Sequence, residues 1–194
     1  MVKGIKRLVR LVLFAVVLYF LFQAVVFLFP VKYNETAEKY AKANNLEIDL
    51  VYSIINAESR FNSSAISNKN AEGLMQIKKD TALWCLGQMG EENSEIDLLD
   101  PETNIKIGTW YFAYLKQELG SEELAIIAYN AGISNVEKWL VEGIVDNMVT
   151  NPDNIPFAET RKYIKKVKFY QKAYEIIGKV TEIKDKIKIP GGSI

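Results

Sequence analysis

The pattern of apolar and polar positions divides the chain near residue 30. From Leu11 to Phe29 all nineteen residues are apolar except Gln23. At about 1.5 Å rise per residue such a helix is about 28 Å long, close to the roughly 30 Å of a bilayer core. A cleaved secretory signal is the competing reading. Its apolar core is shorter, about 7–15 residues, and leads into small residues at a cleavage site. Here the run ends in Val26-Phe27-Leu28-Phe29-Pro30, bulky throughout, which favours an uncleaved transmembrane anchor.

Beyond Pro30 the period becomes that of short amphipathic helices. Asn34 to Ala43 predicts a first one, with Ala37, Tyr40 and Ala41 on one side, broken at Asn44-Asn45. Asp49 starts a second, on which Val51, Ile54, Ile55 and Glu58 share a face. Residues 60 to 73 read as a polar loop. A helix from about Ile77 to Gly87 comes next, with Leu83 and Trp84 inward, and then an acidic loop from Glu91 to Glu102. Asp100-Pro101 is a cap followed by a first-turn proline. It opens a helix whose core face is Ile105, Gly108, Phe112, Leu115 and Leu119, ended by Gly120.

Glu122 to Asn130 predicts a short helix stopped by Gly132. Ser134 and Glu137 have capping-box spacing for the next, through Trp139 and Leu140 to Gly143. After a loop at 151–156, the last long helix runs from Phe157 to about Ile177, with Tyr163, Val167, Tyr170 and Tyr174 on one face. Strand signal is slight. The expected fold class is therefore all-α, a multi-helix globular domain after one N-terminal transmembrane helix. The expected divisions are 1–30 (basic stub and anchor), 31–178 (globular domain) and 179–194 (basic tail).

The apolar stripe of the second helix ends in a carboxylate. A carboxyl group in apolar surroundings disfavours its charged form, so its pKa rises and it can act as a general acid near neutrality. The bland alternative is a helix-end glutamate that reaches water. The residues after Glu58 support the functional reading. Ser59-Arg60-Phe61-Asn62 leads into a loop with Ser63, Ser64, Ser67, Asn68 and Asn70, and Gly73 then releases the backbone before Leu74-Met75-Gln76-Ile77. Such a loop supplies hydroxyl and backbone donors to a polar ligand.

Composition removes other chemistries. The chain has no histidine, which excludes Ser-His-Asp and Cys-His catalysis and removes the commonest metal ligand. One cysteine, Cys85, can form neither an intrachain disulfide nor a thiolate metal cluster, and reads as a small buried hydrophobe. Net charge is zero. Lys3, Lys6, Arg7 and Arg10 precede the apolar run, leaving 20 basic residues against 24 acidic ones elsewhere. That balance does not suit a nucleic-acid binder. The basic cluster ahead of the anchor places the amino terminus in the cytoplasm and everything after Pro30 outside.

Four short motifs resemble, in order, the signatures of the lytic transglycosylases of the soluble-lytic-transglycosylase type, which have a goose-lysozyme-like domain. They are Glu58-Ser59, Gly73-Leu74-Met75-Gln76, Tyr129-Asn130-Ala131 with Gly132, and Glu159-Thr160-Arg161 with Tyr163. The resemblance covers roughly residues 36 to 175. Lys78-Lys79-Asp80 departs from the apolar-Pro start usual after the Gly-Leu-Met-Gln-Ile run.

The resemblance implies a lysozyme-like fold and a peptidoglycan lytic transglycosylase with Glu58 as its catalytic group. It implies substrate contacts from Ser59, Ser67, Gln76, Tyr129, Asn130 and Tyr163, with Glu159 as structural support. Without the resemblance, Gln76 and Asn130 read as helix caps, Ser67 as an ordinary loop serine, and Tyr129 and Tyr163 as core. Glu159 then reads as a favourable charge at a helix amino terminus.

The implied reaction needs no cofactor and no metal. The implied partners are peptidoglycan glycan strands and, through residues 11–29, the cytoplasmic membrane of a bacterium; no protein partner can be read. The catalytic domain is expected on the membrane's outer face. Two alternatives stay open: a muramidase that hydrolyses the same bond, for which Asp80, Glu72 or Asp97 would supply a second carboxylate, and a non-catalytic wall-binding subunit of a membrane machine.

Overall fold

The computed structural model describes residues 2–92, 96–147, 149 and 151–187. The chain divides into two compact units, Met1–Pro30 and Val31–Ile194. The first is a single helix, α1 (Val2–Leu28). Its stretch from Ile5 to Leu28 is long and apolar enough to cross a membrane. Leu11, Phe14, Phe20 and Phe27 are exposed along it.

The second unit is built from seven further α-helices among the described residues: α2 (Asn34–Ala43), α3 (Ile48–Glu58), α4 (Lys79–Met89), α5 (Pro101–Leu119), α6 (Glu122–Ala131), α7 (Ile133–Val141) and α8 (Ala158–Ile187). A two-residue hairpin, β1 (Ala71–Glu72) with β2 (Ile77–Lys78), pairs Ala71 with Lys78 and Glu72 with Ile77 in antiparallel register. Its brevity explains why no strand period is visible in the sequence.

α3 is the central helix, because its apolar residues are not confined to one stripe. Every position from Leu50 to Ala57 is buried, and a helix apolar nearly all round belongs in a core. Each fully buried Leu, Val or Ile there contributes about 1.5–3 kcal/mol relative to exposure. α3 packs along α8, which in turn meets α6. Tyr52, Tyr163, Val167 and Tyr174 are buried in this region. Asn56, also buried, donates to the Tyr174 hydroxyl at 3.0 Å, joining the two helices by a polar contact.

Local chemistry sets the other ends. Asp100 accepts from the Thr103 amide at 2.8 Å with Pro101 in the first turn, and Gly120 closes α5 with φ 64°. Three expectations need correction. α4 turns Ala82, Cys85 and Leu86 inward while Leu83 and Trp84 stay exposed, since its shallow contact buries only a narrow stripe. Ser134 and Glu137 form no capping box, because α7 already begins at Ile133, after the bend at Gly132, and has no side-chain cap. α8 continues to Ile187, since no proline intervenes before Pro190; Pro190-Gly191-Gly192 lies outside the described residues.

Candidate active site

Glu58 is the last residue of α3 and is half-buried at the wall of a groove of about 380 Å³. Burial raises its carboxyl from the ordinary 4.5 to about 7; the Tyr163 hydroxyl and the Lys166 ammonium pull the other way, and the Glu159 charge adds to the rise. A helix carboxyl end also carries partial negative charge, which disfavours a carboxylate there. The Lys166 ammonium answers that charge directly, donating to the Ala57 carbonyl at 2.6 Å. The result is an acid poised near neutrality, the state a proton donor needs.

The groove is framed by the loop after α3, the hairpin, α4, α5, the end of α6 and the start of α8. Ser67, Gln76, Tyr129, Asn130 and Glu159 all line it with Glu58. Their hydrogen bonds fix what each presents. Ser67 Oγ accepts from the Ala71 amide at 3.0 Å, leaving its own proton to donate. Gln76 sits at φ 51°, and its Nε2 donates to the Ala65 and Gly73 carbonyls at 3.1 and 2.9 Å. Its Oε1 is left as an acceptor. Asn130 Oδ1 accepts from the buried Thr160 hydroxyl at 2.7 Å, which leaves its amide nitrogen to donate. Tyr129 uses its hydroxyl on the Met75 carbonyl at 2.8 Å and offers the groove its ring.

The other two expected residues are placed differently. Ser59 does not line the groove; its hydroxyl reaches the Leu74 carbonyl at 2.8 Å, tying the end of α3 to the hairpin turn. Tyr163 is buried behind Glu58. Its hydroxyl makes no regular hydrogen bond, although it is near enough to the carboxyl to lower the acid's pKa. Glu159 is exposed on the groove rim and pairs with Lys69 at 3.2 Å.

The transglycosylase SLT domain model matches residues 35–143 of this chain. The chain belongs to that family. It is 37% identical over 151 residues to the soluble lytic murein transglycosylase of Escherichia coli, covering 75% of this chain and 23% of that protein. It is 31% identical over 169 residues to the membrane-bound lytic murein transglycosylase C of Pectobacterium atrosepticum, covering 74% of this chain and 46% of that one. The crystal structure of the 70 kDa soluble lytic transglycosylase of Escherichia coli superposes with a TM-score of 0.71 at 35% identity, covering 77% of this chain and 25% of that chain. The chain thus spans about a quarter of the soluble relative and about half of the membrane-bound one. The family fold is the lysozyme-like all-α one expected from the motifs.

Within this SLT domain, the sequence alone does not single out Asn104, Lys69, Thr81 or Tyr111. Asn104, fully buried on α5, holds the hairpin from beneath. Its Oδ1 accepts from the Met75 amide at 2.7 Å, and its Nδ2 donates to the Glu72 and Leu98 carbonyls at 2.9 and 2.8 Å. Gly73 is required above it: φ is 75°, and a Cβ would lie 2.1 Å from the Leu98 carbonyl oxygen and 2.2 Å from Asn104 Nδ2. Asn68, Lys69, Lys78, Thr81 and Tyr111 also line the groove. Among the described residues Glu58 and Glu159 are its only carboxylates; Asp80 and Glu72 do not line it. No group of three metal-ligating side chains occurs among the described residues. Cys85 is buried, and burial pushes its thiol up to about 12, so it is no thiolate nucleophile.

Proposed function

We propose that the unit beginning at Val31 is a peptidoglycan lytic transglycosylase, held at the cytoplasmic membrane by residues 11–29 with the amino terminus inside and the groove outside. The observation that carries this reading is Glu58: a single acid with its pKa raised to about 7, set in a groove whose other carboxylate, Glu159, is exposed and ion-paired. The family membership and the relatives' names support it. Hydrolytic glycosidases usually use two carboxylates at a set separation. One acid used twice suits an internal displacement instead.

Glu58 protonates the oxygen between N-acetylmuramic acid and N-acetylglucosamine. As that bond breaks, positive charge grows at the muramic C1, where the substrate's own N-acetyl group stabilises it. Glu58, now a carboxylate, takes the proton of the muramic C6 hydroxyl as its oxygen bonds to C1. A 1,6-anhydro end results, no water is consumed and the acid is restored. Ser67, the Gln76 carbonyl and the Asn130 amide hold the sugars, Tyr129 offers a ring face, and Tyr163 faces the reacting carboxyl. Ser59 and Glu159 keep the frame.

The presence of Glu159 on the groove rim favours one second reading, hydrolysis of the same bond. The test of the assignment is release of soluble fragments from purified wall by the full chain. Glu58→Gln should keep the fold and lose at least about 10²–10⁴ in rate, because an amide can neither give nor take the proton. Activity within a few-fold of the parent would put the chemistry elsewhere.

A further inference from the structure

On both helices that wall the groove near the hairpin, the residue one turn beyond a groove-lining side chain is aromatic and partly exposed. Thr81 on α4 and Tyr111 on α5 line the groove. Trp84 and Tyr114 follow them at i+3, on the same helix faces. Trp84 is 40% exposed. Its ring centroid lies 6.3 Å from that of Tyr111, 4.8 Å from Tyr114 and 5.9 Å from Trp110, always at a steep angle. No ring of that cluster therefore lies flat against the Trp84 indole. Trp110 and Tyr114 stack in parallel at 5.8 Å. Tyr111 joins the two regions, because it also meets the groove ring of Tyr129 at 5.6 Å.

We propose that Trp84, Trp110 and Tyr114 form an outer saccharide site that carries the glycan strand onward from the groove past Tyr111. The proposal rests on the reading of the groove as a peptidoglycan site. A groove of about 380 Å³ is small for a pocket, near the lower end of those that enclose one small ligand. A polymer must therefore leave it at its ends. A pyranose ring presents axial C–H groups on its faces and hydroxyls round its edge. Aromatic rings with polar tips match both, as Trp and Tyr do at other surfaces that are half apolar and half wet. Its three rings carry no formal charge and Tyr111 links them to the groove, so the site selects a strand already bound there and adds length-dependent affinity.

The test uses the full chain in detergent with Glu58→Gln, so that nothing is cleaved, and peptide-free disaccharide, tetrasaccharide and octasaccharide strands isolated from wall. Titration calorimetry should show affinity climbing from tetrasaccharide to octasaccharide. Adding Trp84→Ala or Tyr114→Ala should remove most of that climb, raising the octasaccharide Kd about tenfold, while Trp84→Phe keeps part of it. Circular dichroism and the thermal midpoint check that each variant is folded. An octasaccharide Kd unaltered by both alanine variants overturns the proposal and leaves the groove assignment standing. So does an unaltered Kd accompanied by conversion of a dimer to a monomer, which would make the patch a contact between copies of the chain. Failure of the chain with Trp84 intact to bind any strand would overturn the groove reading as well.

Discussion

The Tyr163 hydroxyl lies beside the Glu58 carboxyl, buried and without a regular hydrogen bond, and it holds the acid's pKa down against the effect of burial. A buried hydroxyl held in loose geometry forgoes part of the roughly 1 kcal/mol that a regular hydrogen bond contributes. Such a cost is tolerated where the group serves the chemistry.

Tyr163→Phe should therefore separate stability from activity. The thermal midpoint is expected to change little, because the ring remains packed. The rate of wall cleavage should fall. A loss of stability with full activity would make Tyr163 an ordinary core residue.

The Glu58 carboxyl gives a pH dependence of definite sign. Its pKa rises from 4.5 unfolded to about 7 folded. Between those values the folded state holds a proton that the unfolded state has released, so stability falls as pH rises through that window and stays reduced above it. Glu58→Gln removes the fall. Denaturant titrations should show its advantage over the parent growing from pH 4.5 to 7 and then levelling. Activity needs the protonated acid, so kcat/KM should drop on an alkaline limb near pH 7. Lys166→Met removes the ammonium that favours the carboxylate and should move that limb upward. A limb that moves downward, or one centred near 4.5, would contradict this account of the acid.

The hairpin supplies a stability test. Asn104→Ala strips three hydrogen bonds from backbone groups, two of them buried, and should cost about 2–4 kcal/mol in denaturant unfolding. Gly73→Ala forces a Cβ into the Leu98 carbonyl and the Asn104 amide at a positive φ, with a loss of similar size. Both should weaken wall cleavage, since Met75 and Gln76 lose their placement. Wild-type stability in either variant would mean that the turn is held by other contacts.

Much of this was legible in the sequence wherever periodicity and motif agreed. The face Val51, Ile54, Ile55 and Glu58 needed only helical spacing. Gln76 and Asn130 needed their motifs. Asn104 was missed because a polar residue within a helix carries no sign of burial; its three partners lie on the hairpin and the loop before α5, which only the fold brings together. Leu83 and Trp84 stay outside, against expectation, because the shallow seat of α4 takes only Ala82, Cys85 and Leu86. Ser134 and Glu137 had the spacing of a cap, but Gly132 turned the chain into α7 before they could act as one.

Topology has its own check. With the amino terminus inside and residues 11–29 uncleaved, protease added to intact protoplasts should digest the unit after Pro30 and leave a membrane-embedded stub. Protection of that unit, or a mature protein beginning near residue 30, would remove the anchor.

The central claim is that Glu58 serves both steps and that the attacking oxygen comes from the sugar. Digestion of purified wall in water enriched in heavy oxygen tests it most directly, by the mass of the new muramic ends. They are expected to be unlabelled and lighter by one water than a reducing end. Labelled reducing ends as the main product would contradict the account and make the protein a hydrolase, with Glu159 the first candidate for its second carboxylate.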